Sequence, residues 1–514
     1  MQSGKITARR LVEVYMRRIA RIDRAGPRLN SIAEVNPDAL EIARKLDDER
    51  MENGARGPLH GIPVILKDSI ATKDKMETTA GSLALLGSRP RREASVAKKL
   101  REAGAIILGK ANMSEWANFR STNSSSGWSA RGGQVHNPYV LDRSPCGSSS
   151  GSAVAVAANL TSVALGTETD GSILCPSSVN GVVGIKPTLG LVSRFGVIPV
   201  AHSQDTVGPI ARTVTDAAIL LGAMVGVDKE EDSTRSSAGR YYHDYTKFLD
   251  RDGLEGARIG VPRQGYFGYS DKADEIADAA LKRMHRLGAK IIDPANIPTA
   301  KQMSSSEDEL TVLLFEFKAD LNRYLAGLKS PRIHSLKDVI AFNEKHKQKE
   351  LKYFGHDLLL KAQKTGSLKD SKYIKALKKD RLLSRKKGLD FTMDKHRLDA
   401  LVTPTTSPPW TIDLVDGDHG LGGSSQPTAL AGYPAITVPA GYVFGLPVGI
   451  TFMGKAYGEP TLIRLAYAFE QATRHRIPPR YKRTISSRRP LHANIRSAAS
   501  WGGGGTIRLP QGQS

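Results

Sequence analysis

Residues 147–187 read GSSSGSAVAVAANLTSVALGTETDGSILCPSSVNGVVGIKP and decide how the rest of the chain is interpreted. The Gly/Ser loop GSSSGS is followed at once by AVAVAANL, a small-residue run that is typical of a buried helix. A second Gly/Ser loop, GTETDGS, follows an apolar strand. A flexible linker does not usually lie between core elements. We therefore interpret both loops as functional loops carried by the core.

The alternation of strands and helices continues on both sides of this stretch and predicts an α/β protein. Upstream, residues 5–53 read as two helices, followed by the apolar strand Ile62–Leu66. Downstream, residues 226–400 are more helical and more charged, and apolar strands return after residue 400. Residues 485–514 form a basic Gly/Ser-rich tail, which is predicted to be disordered.

Charge and apolar content restrict the classes of protein. The 514 residues include 74 Lys and Arg against 52 Asp and Glu, a net charge of +22. No zinc-finger, RNP or helix-turn-helix motif accompanies this charge, so it indicates solubility and nonspecific attraction to anions, and no specific nucleic-acid partner is expected. No run of 18 or more apolar residues occurs, so no membrane-spanning helix is expected.

Cysteine usage bears on the cellular compartment. Cys146 and Cys175 are the two cysteines of the chain, too few for a disulfide framework, and they favour a reducing compartment. The N-terminus reads as an amphipathic helix and lacks the apolar segment of a signal peptide. These features predict a cytoplasmic protein.

Candidate groups for nucleophilic catalysis cluster around the two loops. Lys67 ends the apolar strand PVILK, and burial lowers the pKa of a lysine until it can act as a base. The nearby histidines His60, His136 and His202 are weaker candidates, because none has an acid at motif spacing. Successive backbone amides of the second loop can converge on an oxyanion.

Four segments resemble the amidase signature family. LHGIPVILKDS resembles the lysine segment of that family, and residues 147–198 resemble its signature. DTVGPIARTVTDAAILL and LAGYPAITVPAGYVFGLPVGITFMG resemble its later motifs, so that the likeness spans about residues 1–480. The resemblance implies an amidase signature domain over residues 1–484, with a central mixed, twisted β-sheet covered by helices on both sides. It also implies hydrolysis of carbon–nitrogen amide bonds.

The same resemblance implies roles for individual residues. The family's lysine base matches Lys67, its relay serine with a cis peptide matches Ser148, and its nucleophile, which forms an acyl-enzyme, matches Ser172. The backbone amides that match the family's oxyanion hole are those of Thr169, Asp170, Gly171 and Ser172. No metal or organic cofactor is implied. The expected partner is a small amide substrate, and a homodimer is left open.

Two departures from the family pattern bear on the substrate. Asp170 stands where the family often has glycine, and we interpret its carboxyl as structural. Leu174 replaces an arginine that is frequent in the family and in its glutamine-handling transamidating members, so an apolar aliphatic or aryl amide is expected. The predicted substrate-binding residues are Trp116, Ala117, Ser149 and Leu174. The helical part at 226–400 is expected to line the substrate pocket.

Three other interpretations compete with this one. Ser95–Lys98, Ser121–Asn123 and Lys364–Gly366 spell the SxxK, SxN and KTG motifs of penicillin-recognising enzymes, but in surface-type or helical contexts. The glutamine-handling component of a transamidosome is disfavoured by the leucine at position 174. A catalytically inactive basic scaffold is disfavoured because all three triad residues are present.

Overall fold

The computed structural model describes residues 1, 3–330 and 332–485, so the tail predicted for residues 485–514 lies, apart from its first residue, outside the described residues. The strands in chain order are β1 (Ile32–Val35), β2 (Pro63–Lys67), β3 (Ile106–Ala111), β4 (Trp128–Ser129), β5 (Gly133–Gln134), β6 (Val163–Glu168), β7 (Val183–Lys186), β8 (Thr206–Ala211), β9 (Arg258–Gly260), β10 (Lys290–Ile292), β11 (Ala400–Pro404), β12 (Ala435–Val443) and β13 (Leu446–Met453).

The α-helices, in the same order, are α1 (Ala8–Arg18), α2 (Ala39–Asn53), α3 (Ser95–Glu102), α4 (Ser150–Ala157), α5 (Leu174–Val179), α6 (Val214–Met224), α7 (Asp271–Arg286), α8 (Ala300–Ser304), α9 (Asp308–Ala326), α10 (Leu336–Lys345), α11 (Lys347–Glu350), α12 (Asp357–Gln363), α13 (Ser371–Ser384), α14 (Asp390–His396), α15 (Gln426–Ala431) and α16 (Glu459–Thr473). None of the helices within the described ranges is both long and apolar enough to cross a bilayer.

Eleven of the strands in the described residues form one mixed sheet. Its order is β1-β3-β2-β6-β8-β7-β12-β13-β11-β9-β10. The β3-β2-β6 and β11-β9-β10 neighbours are parallel, and the strands between them pair antiparallel. The parallel arrangement of β2 and β6 matters for the site, because it places the carboxyl ends of both strands at the same edge of the sheet.

Helices cover both faces of this sheet. Along β2, the side chains of Val64 and Leu66 enter a core packed by α3, α6, α7 and α16, whereas Ile65 enters a second core packed by α1, α2 and α4. A strand that is buried on both faces reads as a continuous apolar run, which is how PVIL was recognised in the sequence. The expected α/β fold with a central mixed sheet and helices on both sides is confirmed.

Most predicted elements occur within a few residues of their expected bounds. The helix expected to end before Gly54 is α2, and the strand expected at Ile62–Leu66 is β2, which extends to Lys67. Strands β1, β9 and β10 were not predicted. They have three or four residues and are only partly buried, so they carry too little hydrophobic periodicity to be recognised.

Candidate catalytic site

The sheet brings Lys67 close to the loop that follows β6. In the parallel pair of β2 and β6, Leu66 lies opposite Leu165, so Lys67 at the end of β2 lies next to the last residues of β6. Lys67 Nζ donates to the carbonyl of Thr167 across 3.0 Å, and the lysine is completely buried. The side chain of Lys67 therefore points into the protein interior, as predicted for this lysine at the end of an apolar strand.

Ser148 meets the same lysine from the loop before α4. Its Oγ lies 2.7 Å from Lys67 Nζ, and the peptide bond between Gly147 and Ser148 is cis. The hydroxyl is fully buried, as is the amine that it contacts. Two of the three predicted catalytic residues are thus in direct contact, although 81 positions separate them in the sequence.

The serine-rich sequence around Ser148 fastens α4 to β6. Ser149 Oγ donates to the Thr167 carbonyl at 3.1 Å and accepts from the Thr167 amide at 3.2 Å, while Ser152 Oγ donates to the Leu165 carbonyl at 2.9 Å. The hydroxyl of Ser149, one of the predicted substrate-binding groups, is therefore occupied within the protein. Its substrate contact stays a prediction, and the geometry favours an anchoring role.

Burial sets the protonation of Lys67. Removal from water lowers the pKa of its amine to about 7, against the opposing attraction of the Asp205 and Glu168 carboxylates. A substantial share of the amine is consequently neutral near pH 7. A neutral amine within hydrogen-bonding distance of a hydroxyl can accept its proton.

The loop between β6 and α5 presents free backbone donors beside Ser172. Gly171 adopts φ 76°, a conformation that favours glycine, and within the described residues no acceptor pairs with the amides of Asp170, Gly171 or Ser172. Glu168 shapes the loop from behind, because its Oε2 accepts from the amides of Ile173 at 2.6 Å and Leu174 at 2.9 Å. Free amides in this arrangement can hold an oxyanion, and the oxyanion hole stays a prediction.

Ser172 lies at the mouth of this loop and retains 7% of its surface. Its carbonyl accepts from the amide of Ser149 at 3.1 Å, which ties the two serine-bearing loops together. Its hydroxyl forms no hydrogen bond to Ser148 among the described residues. In ligand-free enzymes such bonds are often long and shorten when the substrate binds.

Asp170 belongs to a buried acid pair that the sequence did not reveal. Burial raises the pKa of its carboxyl, and Ser425 and Glu309 are its polar neighbours. Burial and the nearby Asp170 carboxyl raise the pKa of Glu309 to about 8. Glu309 is held in place by the side-chain amides of Gln204 at 3.0 Å and Gln426 at 2.8 Å. These contacts agree with a structural role for Asp170.

A left-handed turn approaches the cis peptide from the other side. Trp116, Ala117 and Asn118 have φ of 49°, 58° and 66°, and the amide of Ser114 just before them donates to the Ser148 carbonyl at 3.2 Å. Successive non-glycine residues in this conformation are costly and are found mainly where function requires them. The turn therefore lies next to Ser148, and a role for it in substrate binding stays a prediction.

The predicted substrate-binding residues differ in their access to solvent. Trp116 and Leu174 are each 1% exposed, and Trp116 packs in an apolar cluster with Phe119 and Phe317. Ala117, in contrast, lines a cavity of about 520 Å³ next to the catalytic loop. Contact of Trp116 and Leu174 with substrate stays a prediction, and their burial favours a packing role.

This cavity extends from the catalytic loop to the helical part of the chain. Thr167 and Thr169 line its inner end, and Asp320, Tyr324 and Leu328 of the 226–400 region line its outer side. Residues of the helical region therefore border a cavity next to the catalytic loop, and its use as the substrate pocket stays a prediction. The charged side chains that line this cavity were not predicted, because Leu174 indicated an apolar substrate.

His202, Glu316 and Asp320 form a cluster at the cavity wall. Of the residues described, these are the ones whose side-chain ligand atoms are close enough together to hold a metal ion. Their atoms pair within the protein: His202 Nδ1 lies 2.7 Å from Asp320 Oδ2, and Glu316 accepts from the Tyr373 hydroxyl at 2.7 Å. The acid partners of His202 lie more than 100 positions away, so no motif spacing could reveal them.

The two cysteines form a disulfide bond with each other. The interpretation that this pair indicates a reducing compartment is therefore wrong. The two positions are 29 residues apart in the sequence, and only the fold brings them together. A cytoplasmic location stays a prediction and loses the support that cysteine usage gave it.

The chain is similar to known amidases over nearly its whole length. A model of the amidase family matches residues 10–463. A probable amidase of Arabidopsis thaliana is 46% identical over 93% of this chain and 89% of its own length. The solved native peptide amidase of Stenotrophomonas maltophilia is 50% identical, with a TM-score of 0.89 over 93% of this chain and 96% of that one. A glutamyl-tRNA(Gln) amidotransferase chain of Halorhodospira halophila is 36% identical over 92% of this chain and 95% of its own length.

Proposed function

Since the chain belongs to the amidase family and hydrolyses amide bonds, we propose that it does so on peptide amides, with Ser172 as nucleophile, Ser148 as relay and Lys67 as base. The contact of 2.7 Å between Lys67 Nζ and Ser148 Oγ carries the residue assignment, together with the burial that lowers the pKa of the amine to about 7. A charged lysine in the same place could not accept a proton.

The proton moves along the three side chains. Neutral Lys67 accepts a proton from Ser148, which accepts one from Ser172 as its oxygen attacks the substrate carbonyl. The free amides at 170–172 stabilise the oxyanion. The proton then passes to the leaving amine, and water, activated by the same relay, cleaves the acyl-enzyme to the acid. Every step uses groups of this chain, the substrate and water.

The substrate class rests on similarity and on the cavity. The solved peptide amidase is 50% identical to this chain over nearly the whole length of both. The cavity of about 520 Å³ offers apolar side chains such as Ile198, Val200 and Leu328 beside polar backbone and charged groups. Such a lining suits a peptide with an apolar side chain next to the scissile amide better than a purely apolar acyl chain.

A competition among substrates tests the class. We would measure kcat/KM for ammonia release from a dipeptide amide with a C-terminal leucine, an aliphatic amide of equal size, and an aryl amide. The peptide amide should be preferred by at least about tenfold, as one or two added polar contacts would give. Equal or better turnover of the aliphatic amide would contradict the peptide-amide proposal and support the apolar amide substrate predicted from Leu174.

Matched variants test the residue assignment. Ser172→Ala, Ser148→Ala and Lys67→Met should each lower kcat by about 10³-fold or more. Ser95→Ala serves as the control for the serine variants. Ser95 lies at the start of α3, and its hydroxyl contacts Asp228 instead of the candidate site. Lys110→Met controls for the loss of a buried lysine, since Lys110 Nζ contacts Ile70 and Thr78 instead. Full turnover by Ser172→Ala, with loss in Ser95→Ala, would overturn the assignment.

A further inference from the structure

The disulfide joins the loop that carries Ser148 to the first turn of α5, which directly follows the loop that carries Ser172. Cys146 precedes Ser148 by two positions, and Cys175 follows Ser172 by three. We propose that the Cys146–Cys175 bond is a positioning element, which holds the relay and the nucleophile in working register, so that amidase activity depends on the oxidation state of this bond. The inference rests on the roles proposed above for Ser148 and Ser172.

Each cysteine is coupled through short hydrogen bonds to the loop beside it. The amide of Cys175 donates to the carbonyl of Gly171 in the oxyanion loop at 2.8 Å. On the other side, the hydroxyl of Ser150, in the first turn of α4, donates to the carbonyl of Cys146 at 2.6 Å. A displacement of either cysteine is therefore transmitted to the catalytic loop next to it.

Other hydrogen bonds also link these two segments, and one set comes from the side-chain amide of Asn137, which donates to the carbonyls of Ser144 at 3.5 Å and Val179 at 2.8 Å. The amide of Ser149 donates to the Ser172 carbonyl at 3.1 Å, and the side-chain amide of Asn180 bridges the carbonyls of Pro145 at 2.9 Å and Pro176 at 2.7 Å. No hydrogen bond among the described residues joins the two catalytic hydroxyls directly. The distance between these hydroxyls therefore depends on how the backbones of the two segments are held together. The disulfide is the covalent link between them.

Reduction of the disulfide would break the covalent link between the two segments without removing a catalytic group. A dithiol such as dithiothreitol attacks one sulfur, and a second thiolate of the same reagent releases the mixed disulfide, which leaves two cysteine thiols and the cyclic oxidised reagent. Cys175 is half-buried and Cys146 is buried, so the reagent has access from the side of Cys175. Because these are the only cysteines of the chain, any effect of the reductant on the protein arises at this bond.

The test compares the oxidised and reduced forms of the full-length protein. Both forms are checked by circular dichroism for an intact fold and by alkylation with mass spectrometry for zero or two free thiols. Reduction should lower kcat and the rate at which a fluorophosphonate probe labels Ser172 by about tenfold or more, because misplacement by 1 Å can cost about a hundredfold in rate. KM should change less than about threefold, and reoxidation should restore kcat.

Variants supply the controls. Cys146→Ser and the double variant with Cys175→Ser should have the low kcat of the reduced enzyme and no response to dithiothreitol. The idea is overturned if the folded enzyme with two alkylatable thiols keeps its kcat within about twofold, or if the protein purified from an oxidising compartment contains two free thiols. Ser172→Ala separates the two proposals: if it is inactive while the reduced enzyme is fully active, the triad stands and only the positioning role fails.

Discussion

Burial alone does not make a lysine a base in this protein. Lys67, Lys110 and Lys186 are all completely buried, and burial lowers their pKa values to about 7, 8 and 8. The Nζ of Lys186 donates to a backbone carbonyl, and that of Lys110 to a carbonyl and a threonine hydroxyl. Lys67 differs because its hydroxyl partner is Ser148, the proposed relay to Ser172. Position, rather than the pKa, therefore distinguishes the proposed base from the other two buried lysines.

The pH dependence of turnover should report the protonation of Lys67. Its pKa of about 7 means that the amine is protonated, and inactive as a base, below that pH. The kcat/KM for a neutral amide should therefore fall about tenfold per pH unit below pH 7 and reach a plateau above pH 8. A profile that stays flat down to pH 5 would contradict a neutral lysine base.

Asp170 should prove structural when its charge is removed. Asp170→Asn keeps the size of the side chain and relieves the raised pKa of Glu309, of which Asp170 is one cause. The variant should keep kcat within about tenfold of the parent, whereas loss of an oxyanion donor costs about 10²–10³-fold. Glu309→Gln serves as the matched variant from the other side of the pair. A loss as large as that of Ser172→Ala would make the carboxyl part of the chemistry.

Candidate site residues that lie in a distinctive short segment could be picked out from the sequence. Residues whose hydrogen-bond partners are distant in the sequence could not. Lys67, Ser148 and Ser172 each lie in a distinctive short segment, and their order matches a family. Glu309 and His202 acquire their partners only when α9 packs on the loop after β7, which no spacing encodes. The bond between Cys146 and Cys175 was missed for the same reason.

At the scale of elements, one buried ion pair links the left-handed turn to the helical region. Arg120 and Glu115 are both fully buried, with 2.7 Å between Nη1 and Oε1. Arg120 also donates to the carbonyls of Phe354 and Gly355 beyond α11, and Glu115 accepts from the amide of Ala130 at 2.7 Å. The turn that borders the active site is thus tied to the helical region through this buried cation.

Arg120→Met should destabilise the protein strongly. It leaves the carboxyl of Glu115 buried without its partner, which typically costs about 3–5 kcal/mol. Arg44→Met is the matched control, because Arg44 forms a pair of similar length, 2.9 Å, with Glu41 at the surface. The control should cost less than about 1 kcal/mol. Urea denaturation measures both, and equal losses would show that burial of the Arg120 pair does not matter.

Across the whole molecule, several strands that are buried on both faces could be predicted, whereas the edge strands and the buried central strand β8, with its Gly-Pro sequence, could not. The continuous apolar runs of β2, β12 and β13 identify central strands. The distal edge of β9 and β10 carries no such run, and its position beside β11 follows from the packing of α7 and the chain between. Lys67 and the loop of Ser172 lie at the carboxyl ends of the central strands β2 and β6, whose apolar runs made this part of the candidate site easier to locate in the sequence than the outer sheet.

The end of the described chain offers a prediction about the whole molecule. The backbone of Tyr481 and Lys482 pairs with residues 138–141, through hydrogen bonds of 3.0 Å to Pro138, 3.2 Å to Tyr139 and 2.8 Å from Leu141. That partner segment leads directly into the loop of Cys146 and Ser148. Truncation after Ile485 keeps all three bonds, and it should leave kcat and the melting temperature unchanged.

Truncation after Pro478 removes these bonds and should behave differently. At about 1 kcal/mol for each hydrogen bond, the loss should be roughly 3 kcal/mol and appear as a lower melting temperature in calorimetry. Because the released segment adjoins the relay serine, kcat should fall as well. Removal of residues 486–514 alone should not have this effect. If it lowers the melting temperature as much as removal of residues 479–514 does, residues 486–514 contribute to the folded domain. The predicted domain boundary at residue 484 would then be wrong.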